Sequence, residues 1–279
     1  MSFDRGARKG YSAGRQRAHG TIAISVERMG KASRVRRAAE SGSARVRFPT
    51  ARDGVPEAVL INTAGGVAGG DRFEAEILLG PDAALVATTA SAEKVYRSAG
   101  DTSLIGTRAM LGPRSRLDWM PQETILFAAA RLQRSLEVEM AGSASALLCE
   151  GVVFGRAASG ESLTSCLYED RWRVRRDGCL IYADTFRLSE NVSTRLAAKT
   201  GLAGSRALAT MLYVAPDAEA RLDQARAAQE GAASECGAGA WHGMLLARFL
   251  APDVETLRRD AARFITLFRG RPMPRVWQT

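Results

Sequence analysis

Hydrophobic and polar residues alternate with a period of two along most of the chain between Gly20 and about Ile181. The segments 44–48, 73–79 and 136–140 show it well, since apolar residues occupy every second position in each. Such alternation is typical of strands with one buried face. Turn residues separate the runs, and Asp177 with Gly178 predicts a two-residue hairpin. The sequence therefore predicts a mainly β body of many short strands, which could be a sandwich, a barrel or a β-helix.

The pattern changes after about Leu208, where helical spacing appears. Residues 207–216 indicate a buried strand, 217–230 an Ala-rich helix, and 240–250 a second strand that contains His242. Asp253 then predicts the start of a helix that runs to about Phe268, with Gly270 just beyond its end. We expect three regions: a disordered basic arm (1–19), a β-rich body (20–207), and a C-terminal strand–helix–strand–helix part with two helices and an extended tail (208–279), packed on the body.

The charge is concentrated at one end of the chain. The net charge is +9, and residues 1–50 carry twelve Lys/Arg against three Asp/Glu, so the rest of the chain is balanced. A basic arm attracts polyanions weakly, but this one lacks the interleaved aromatic residues of a nucleic-acid platform. There is no apolar run of about 18 residues and no apolar segment after the N-terminal basic residues, so we expect a cytoplasmic protein with no membrane partner. Its four cysteines are widely spaced, which predicts free thiols.

A glycine-rich stretch, with Gly65, Gly66, Gly69 and Gly70 followed by Asp71, resembles a phosphate-binding loop at first sight. Such a loop must lead into a helix, whose N-terminus holds the anion. The residues after Asp71 alternate as a strand does. We therefore interpret the stretch as a tight connection between two strands, in which glycine allows positive φ and close backbone approach and Asp71 caps the loop's own N–H groups.

Candidate chemistry is otherwise sparse. The only histidines are His19 and His242, no Gly-x-Ser-x-Gly accompanies them, and no local cluster of His or Cys suggests a tight metal cage. Glu150 stands out because it lies in an apolar run, residues 147–154. A buried carboxylate must be paired, here with Arg156 or an arginine of a neighbouring strand, or must line something wet. The sequence predicts no catalytic residue.

Five segments in a fixed order resemble the urease accessory protein family UreD, also called UreH. They are AGGVAGGD (64–71), TTASAEKVYRS (88–98), LDWMPQETILFAAARL (117–132), CEGVVFGR (149–156) and RPMPRVWQT (271–279). The resemblance covers roughly residues 18 to 279. It implies a β-helix-like fold and a non-catalytic scaffold that binds apo-urease and UreF, and through UreF the GTPase UreG, to deliver nickel to urease. It also implies a polar interior path for transient nickel and no tightly bound cofactor.

The resemblance suggests that Asp71, Thr88, Thr89 and Glu150 line such a path, although the threonines could simply pair across a sheet. In the C-terminal segment, Arg275 and Trp277 are typical anchor residues for a partner, but the segment could equally strap across the protein's own core. The alternative functions are a polyanion binder acting through the basic arm and a β protein that binds a small ligand.

Overall fold

The computed structural model describes residues 16–50, 53–156 and 163–277. These residues form a mostly β structure with three α-helices, α1 (Val192–Ala197), α2 (Leu222–Gln229) and α3 (Val254–Arg269). The strands are β1 (His19–Met29), β2 (Ala32–Gly42), β3 (Ala44–Arg47), β4 (Glu57–Asn62), β5 (Arg72–Leu79), β6 (Ala84–Thr89), β7 (Glu93–Val95), β8 (Ser103–Leu111), β9 (Arg116–Trp119), β10 (Thr124–Leu126), β11 (Arg131–Met140), β12 (Ser145–Phe154), β13 (Leu167–Arg176), β14 (Cys179–Leu188), β15 (Ala207–Val214), β16 (Glu235–Trp241) and β17 (Met244–Ala251).

The strands form two sheets, and the chain passes back and forth between them. The first sheet has the order β14-β13-β11-β8-β5-β1-β2, and the second has the order β16-β17-β15-β12-β9-β6-β4-β3 with β7 and β10 attached through β12. Each time the chain returns to a sheet, it adds a strand that pairs in parallel with the previous one. In this way β5, β8, β11 and β13 are neighbours in one sheet, and β6, β9 and β12 are neighbours in the other. This stacked arrangement is solenoid-like. It confirms the mainly β prediction and, of the three architectures left open, favours the β-helix type.

The main core lies between the two sheets and follows the alternation in the sequence. Ile77 and Leu79 on β5 and Leu136 on β11 are buried against Leu85 of β6 and Leu117 of β9. A second core lies on the outer face of the second sheet, where α2 and α3 pack. Because β15 pairs with β12, the C-terminal segment extends the second sheet and its helices cover that sheet.

The glycine-rich stretch connects β4 to β5, which confirms the strand–loop–strand prediction. Gly66 has φ +139°, and a Cβ atom placed on it would lie 2.5 Å from the ring of Tyr96 and 2.9 Å from the carbonyl oxygen of Lys94. Glycine is therefore required there both by conformation and by space. Asp71 accepts hydrogen bonds from the backbone N–H of Ala68 (2.7 Å) and of Ala18 (2.8 Å), so it caps the loop.

Two local predictions hold in detail. Asp177 and Gly178, with φ +50° and +79°, form the turn between β13 and β14. Helix α3 starts after Asp253, whose side chain accepts a hydrogen bond from Thr256 N (2.7 Å), and ends at Gly270 in the left-handed region. The four cysteines are free thiols, as expected.

The prediction for the C-terminal part was wrong in two respects. The single strand predicted at 240–250 is a hairpin of β16 and β17, and His242, with φ +49°, lies in its turn rather than in a strand. β16 was missed because its sequence, ECGAGAW, has too few apolar residues to alternate. In the predicted β-rich body, helix α1 was also missed, since six residues are too few for helical periodicity. None of the helices in the described part of the chain has both the length and the apolar character needed to cross a membrane. Most of the predicted basic arm, residues 1–15, lies outside the described residues.

Candidate functional site

A buried cluster of charged side chains lies between the two sheets. It consists of Arg134 on β11, Glu150 on β12 and Asp170 on β13. Arg134 and Asp170 occupy inward positions of the first sheet, and Glu150 faces them from the second. Burial of one guanidinium and two carboxylates is costly unless each is paired.

Each nitrogen of the Arg134 guanidinium has a partner. Nε and Nη2 donate to the two carboxylate oxygens of Asp170 (3.1 and 2.6 Å), and Nη1 forms an ion pair with Oε2 of Glu150. Nη1 also donates to Thr124 Oγ1 (3.1 Å), and Nη2 to the hydroxyl of Tyr168 (2.8 Å). This is a dense network in which Arg134 is the central donor.

Two indole N–H groups complete the cluster. Trp119 Nε1 donates to Oε1 of Glu150 (2.9 Å), and Trp172 Nε1 donates to Oδ2 of Asp170 (3.3 Å). Burial opposes the charge of Arg134, but Asp170 and Glu150 outweigh it and hold its pKa well above the ordinary value. Burial raises the pKa of Glu150 against the pull of Arg134. With both carboxylates ionised, the cluster has one negative charge more than Arg134 can neutralise.

A cavity of about 360 Å³ reaches from the surface to this cluster. Glu150, Arg134 and Trp119 form its buried end, and the exposed residues Ser91 and Lys94 lie at its mouth. Its walls combine apolar side chains with polar ones; among them are Leu60, Phe73, Ile105, Asn62, Thr89, Glu93 and Gln122. A smaller cavity of about 20 Å³ lies on the other side of Arg134 and Glu150, and Asp170, Asp184 and Thr210 also line it.

A second carboxylate, Glu93, lies along the wall of the larger cavity. Asn62 Nδ2 donates to its two oxygens at 3.2 and 3.3 Å. Burial raises the pKa of Glu93 to about 7, partly offset by the hydrogen bond from Asn62. The cavity therefore has one acid that changes charge near neutral pH.

The four residues proposed for the interior path do not come together in one place. Glu150 and Thr89 line the cavity, and Thr89 Oγ1 accepts a hydrogen bond from Gln122 N (2.9 Å). Thr88, the preceding residue on β6, points to the opposite face of the sheet. The residues that line the cavity do not include Asp71, both of whose oxygens bind backbone N–H groups.

The C-terminal tail (residues 271–277) lies against the outer face of the second sheet. Trp277 Nε1 donates to Thr88 Oγ1 (3.1 Å) and to the carbonyl of Met120 (3.2 Å), and its ring packs against the second core. Arg275 is exposed. Gln122, which lines the cavity, donates through Nε2 to the carbonyl of Val276 (3.1 Å). These contacts are those of a strap; whether Arg275 and Trp277 also bind a partner stays a prediction.

Arg134, Asp170 and Glu93 were not predicted from the sequence. The signal for the first two was present: in RLQRSLEVEM and LYEDRWRVRR, the inward positions are apolar or aromatic except for Arg134, Asp170 and, at the end of β13, Arg176. Glu150 was predicted to pair with Arg156 or a neighbouring strand's arginine, and its partner is Arg134 from the facing sheet. Within residues 16–50, 53–156 and 163–277, no three His, Cys, Asp or Glu side chains are grouped so as to hold a metal ion.

Comparison with known proteins places the chain in a family. The family model described as UreD urease accessory protein matches residues 18–278. The chain belongs to the UreD family. The matched range contains every residue that lines the two cavities.

Curated UreD proteins are similar over nearly their full length. The urease accessory protein UreD of Azorhizobium caulinodans is 51% identical over 263 residues, which cover 94% of this chain and 97% of that protein. The UreD protein of Xanthobacter autotrophicus is 50% identical over 265 residues, 95% of this chain and 91% of its own. A UreD protein of Rhodopseudomonas palustris is 43% identical over 261 residues, 94% of each chain.

Proposed function

We propose that this protein is a non-catalytic accessory protein of urease maturation that helps to deliver nickel to the urease active site. In this proposal it works in the cytoplasm, binds apo-urease and UreF, and contacts UreG through UreF. Membership of the UreD family supports the general role. The observation that carries the nickel role is the cavity whose buried end is the carboxylate of Glu150.

The cavity suits a hydrated divalent ion that passes through rather than stays. A water molecule occupies roughly 30 Å³ of liquid, so an ion with six waters needs on the order of 200 Å³. The cavity is about 360 Å³. Oxygen ligands such as the Glu150 carboxylate and the Thr89 hydroxyl hold nickel less firmly than a cage of imidazole and thiolate groups, and transfer needs shallow binding.

The four residues proposed for the path lie in different places, so we assign them different roles. Glu150 and Thr89 would contact the ion, with Glu93 as a further carboxylate on the same wall. Asp71 and Thr88 would act indirectly, because Asp71 fixes the glycine-rich loop and Thr88 fixes Trp277. Nickel is the cargo in this proposal, which involves no resident cofactor.

The decisive experiment combines pull-down with UreF and apo-urease and nickel-dependent urease activation, with and without this chain. Glu150→Gln keeps the side-chain shape and acceptor oxygen but removes the charge. We expect it to lower activation while leaving the complex with UreF intact. Glu190→Gln, at an exposed carboxylate outside the cavity, serves as the matched control. Full activation by the Glu150→Gln protein would contradict the proposed path.

The size and partly apolar lining of the cavity also support one alternative, a protein that binds a small ligand. Small-molecule pockets typically have volumes of about 300–1,000 Å³ with a few placed polar groups. This alternative predicts that small amphipathic compounds raise the melting temperature, that Leu60→Trp abolishes the shift, and that nickel has no effect.

A further inference from the structure

Arg134 and Glu150 form the partition between the two cavities, since both residues line both of them. On the far side, the smaller cavity extends to Asp184. The side chain of Asp184 is 35% exposed and pairs with Arg248 of β17. The ion pair between Arg134 and Glu150 therefore separates the mouth of the larger cavity from a second point near the surface.

The guanidinium occupies the position that an incoming cation would need. Oε1 of Glu150 is bound by Trp119 Nε1–H, and Oε2 is bound by Nη1 of Arg134. A cation that approaches Glu150 from the larger cavity thus meets a fixed positive charge in contact with the second carboxylate oxygen. Like charges at contact distance in a buried setting repel strongly.

The two carboxylates hold Arg134 unequally. Asp170 accepts from two nitrogens of the guanidinium, Nε and Nη2, in the planar bidentate geometry that fixes an arginine best. Glu150 forms an ion pair with the guanidinium at Nη1, and Nε and Nη2 are bound to Asp170. The contact with Glu150 can therefore break while the guanidinium stays bound to Asp170, so Asp170 is the fixed side and Glu150 the side that can be released.

We propose that Arg134 is a positioning residue that gates the path: anchored on Asp170, it blocks Glu150 in the closed arrangement and, when its contact with Glu150 breaks, releases Oε2 to a divalent cation and joins the two cavities. This inference rests on the proposed function, since it concerns the same path. It predicts that the resident guanidinium, rather than a lack of carboxylate ligands, limits cation binding by the isolated protein.

The test uses a variant that removes the guanidinium without changing the charge of the cluster. Replacing Arg134 with Met and Asp170 with Asn together removes one positive and one negative group and leaves Glu150 as the one ionisable group of the three, so the net charge with every carboxylate ionised is −1 in both proteins. Nickel binding to the full-length protein is measured by titration calorimetry and by quenching of tryptophan fluorescence, because Trp119 lies against Glu150. A Trp119→Phe version of each protein identifies the signal from that indole.

We expect the double variant to bind nickel at least tenfold more tightly than the wild type, with quenching of Trp119, and we expect the gain to disappear when Glu150→Gln is added. A purely structural role for Arg134 would change the melting temperature but would not create a Glu150-dependent nickel site. Equal affinity in the wild type and the double variant would overturn the gate. A gain that survives Glu150→Gln would overturn it as well.

If the double variant does not fold, the Arg134→Lys variant is used for the same measurement. A lysine keeps the positive charge but lacks the planar group that Asp170 binds at two nitrogens, so its ammonium is held less firmly in the position that blocks Glu150. We expect an increase in nickel affinity of several-fold, and an unchanged affinity would overturn the gate. Absence of nickel binding in every variant would contradict both the gate and the path. If urease activation depends on Glu150 but removal of the guanidinium gives no gain in nickel affinity, the gate alone is contradicted.

Discussion

Glu93 gives a quantitative prediction of how the stability of the protein depends on pH, because the charge of this cavity residue changes near neutral pH. Glu93 is mostly enclosed, and burial raises its pKa to about 7 from an ordinary 4.5. In the unfolded chain the carboxylate ionises near the ordinary value. The folded protein therefore holds a proton that the unfolded chain has lost throughout the range from about pH 4.5 to 7.

This difference fixes both the sign and the size of the effect. Below pH 4.5 Glu93 is neutral in both states, so its ionisation does not lower the free energy of unfolding. As the pH rises toward 7 the folded state loses stability relative to the unfolded state, and above 7 the loss is complete. A shift from 4.5 to about 7 corresponds to about 3 kcal/mol at most, since one pKa unit equals about 1.4 kcal/mol.

Glu93→Gln removes this cost, because a neutral amide can still accept the hydrogen bond from Asn62. We expect the variant to match the wild type near pH 4.5 and to gain up to about 3 kcal/mol in unfolding free energy by pH 8. Urea unfolding across this pH range measures the difference, with Glu190→Gln as the exposed control. A constant difference between variant and wild type at every pH would refute the argument.

Three further predictions concern stability and can be checked by urea unfolding. Gly66→Ala should destabilise the protein by about 2–3 kcal/mol more than Gly65→Ala, because a Cβ atom at Gly66 overlaps Tyr96 whereas at Gly65 no described atom lies within 4 Å; equal losses would contradict this. Asp118→Ala should cost about 3–5 kcal/mol, since it leaves the buried guanidinium of Arg269 without the carboxylate it contacts at 2.8 Å. Trp277→Ala should cost about 2 kcal/mol if the tail is a strap, and unchanged unfolding with loss of UreF binding would instead identify a docking segment.

The alternation of residues was enough to predict the mainly β body and the glycine-rich loop, though not β16, because it records which face of a strand is buried. It also implied that Thr88 and Thr89 face opposite ways, but not which one faces the interior. That depends on which face of β6 packs against the other sheet and which one meets the tail, whose Trp277 contacts Thr88 from 189 residues away. Such a contact leaves no local pattern in the sequence.

The candidate site could be predicted only in part for a related reason. Glu150 was recognisable as a charge in an apolar run, but its partner Arg134 lies on the facing sheet. The register between two stacked sheets is set by the whole series of strands and cannot be read from β11 or β12 alone. The cavity follows from the same stacking, because its walls come from both sheets and from the loops near Gly65 and Ser91.

Gln122 contacts both the cavity and the C-terminal tail. Its side chain lines the cavity, its Nε2 donates to the carbonyl of Val276, and its Oε1 accepts from Arg258 Nη2 of α3 (2.7 Å). A partner that lifts the C-terminal tail would remove one of these hydrogen bonds, while Nε2 would keep its contacts with the carbonyls of Thr89 and Ala90 and Oε1 its contact with Arg258. The last residues of the chain and the wall of the cavity thus share one side chain, so the position of the tail and the shape of the cavity wall are not set separately.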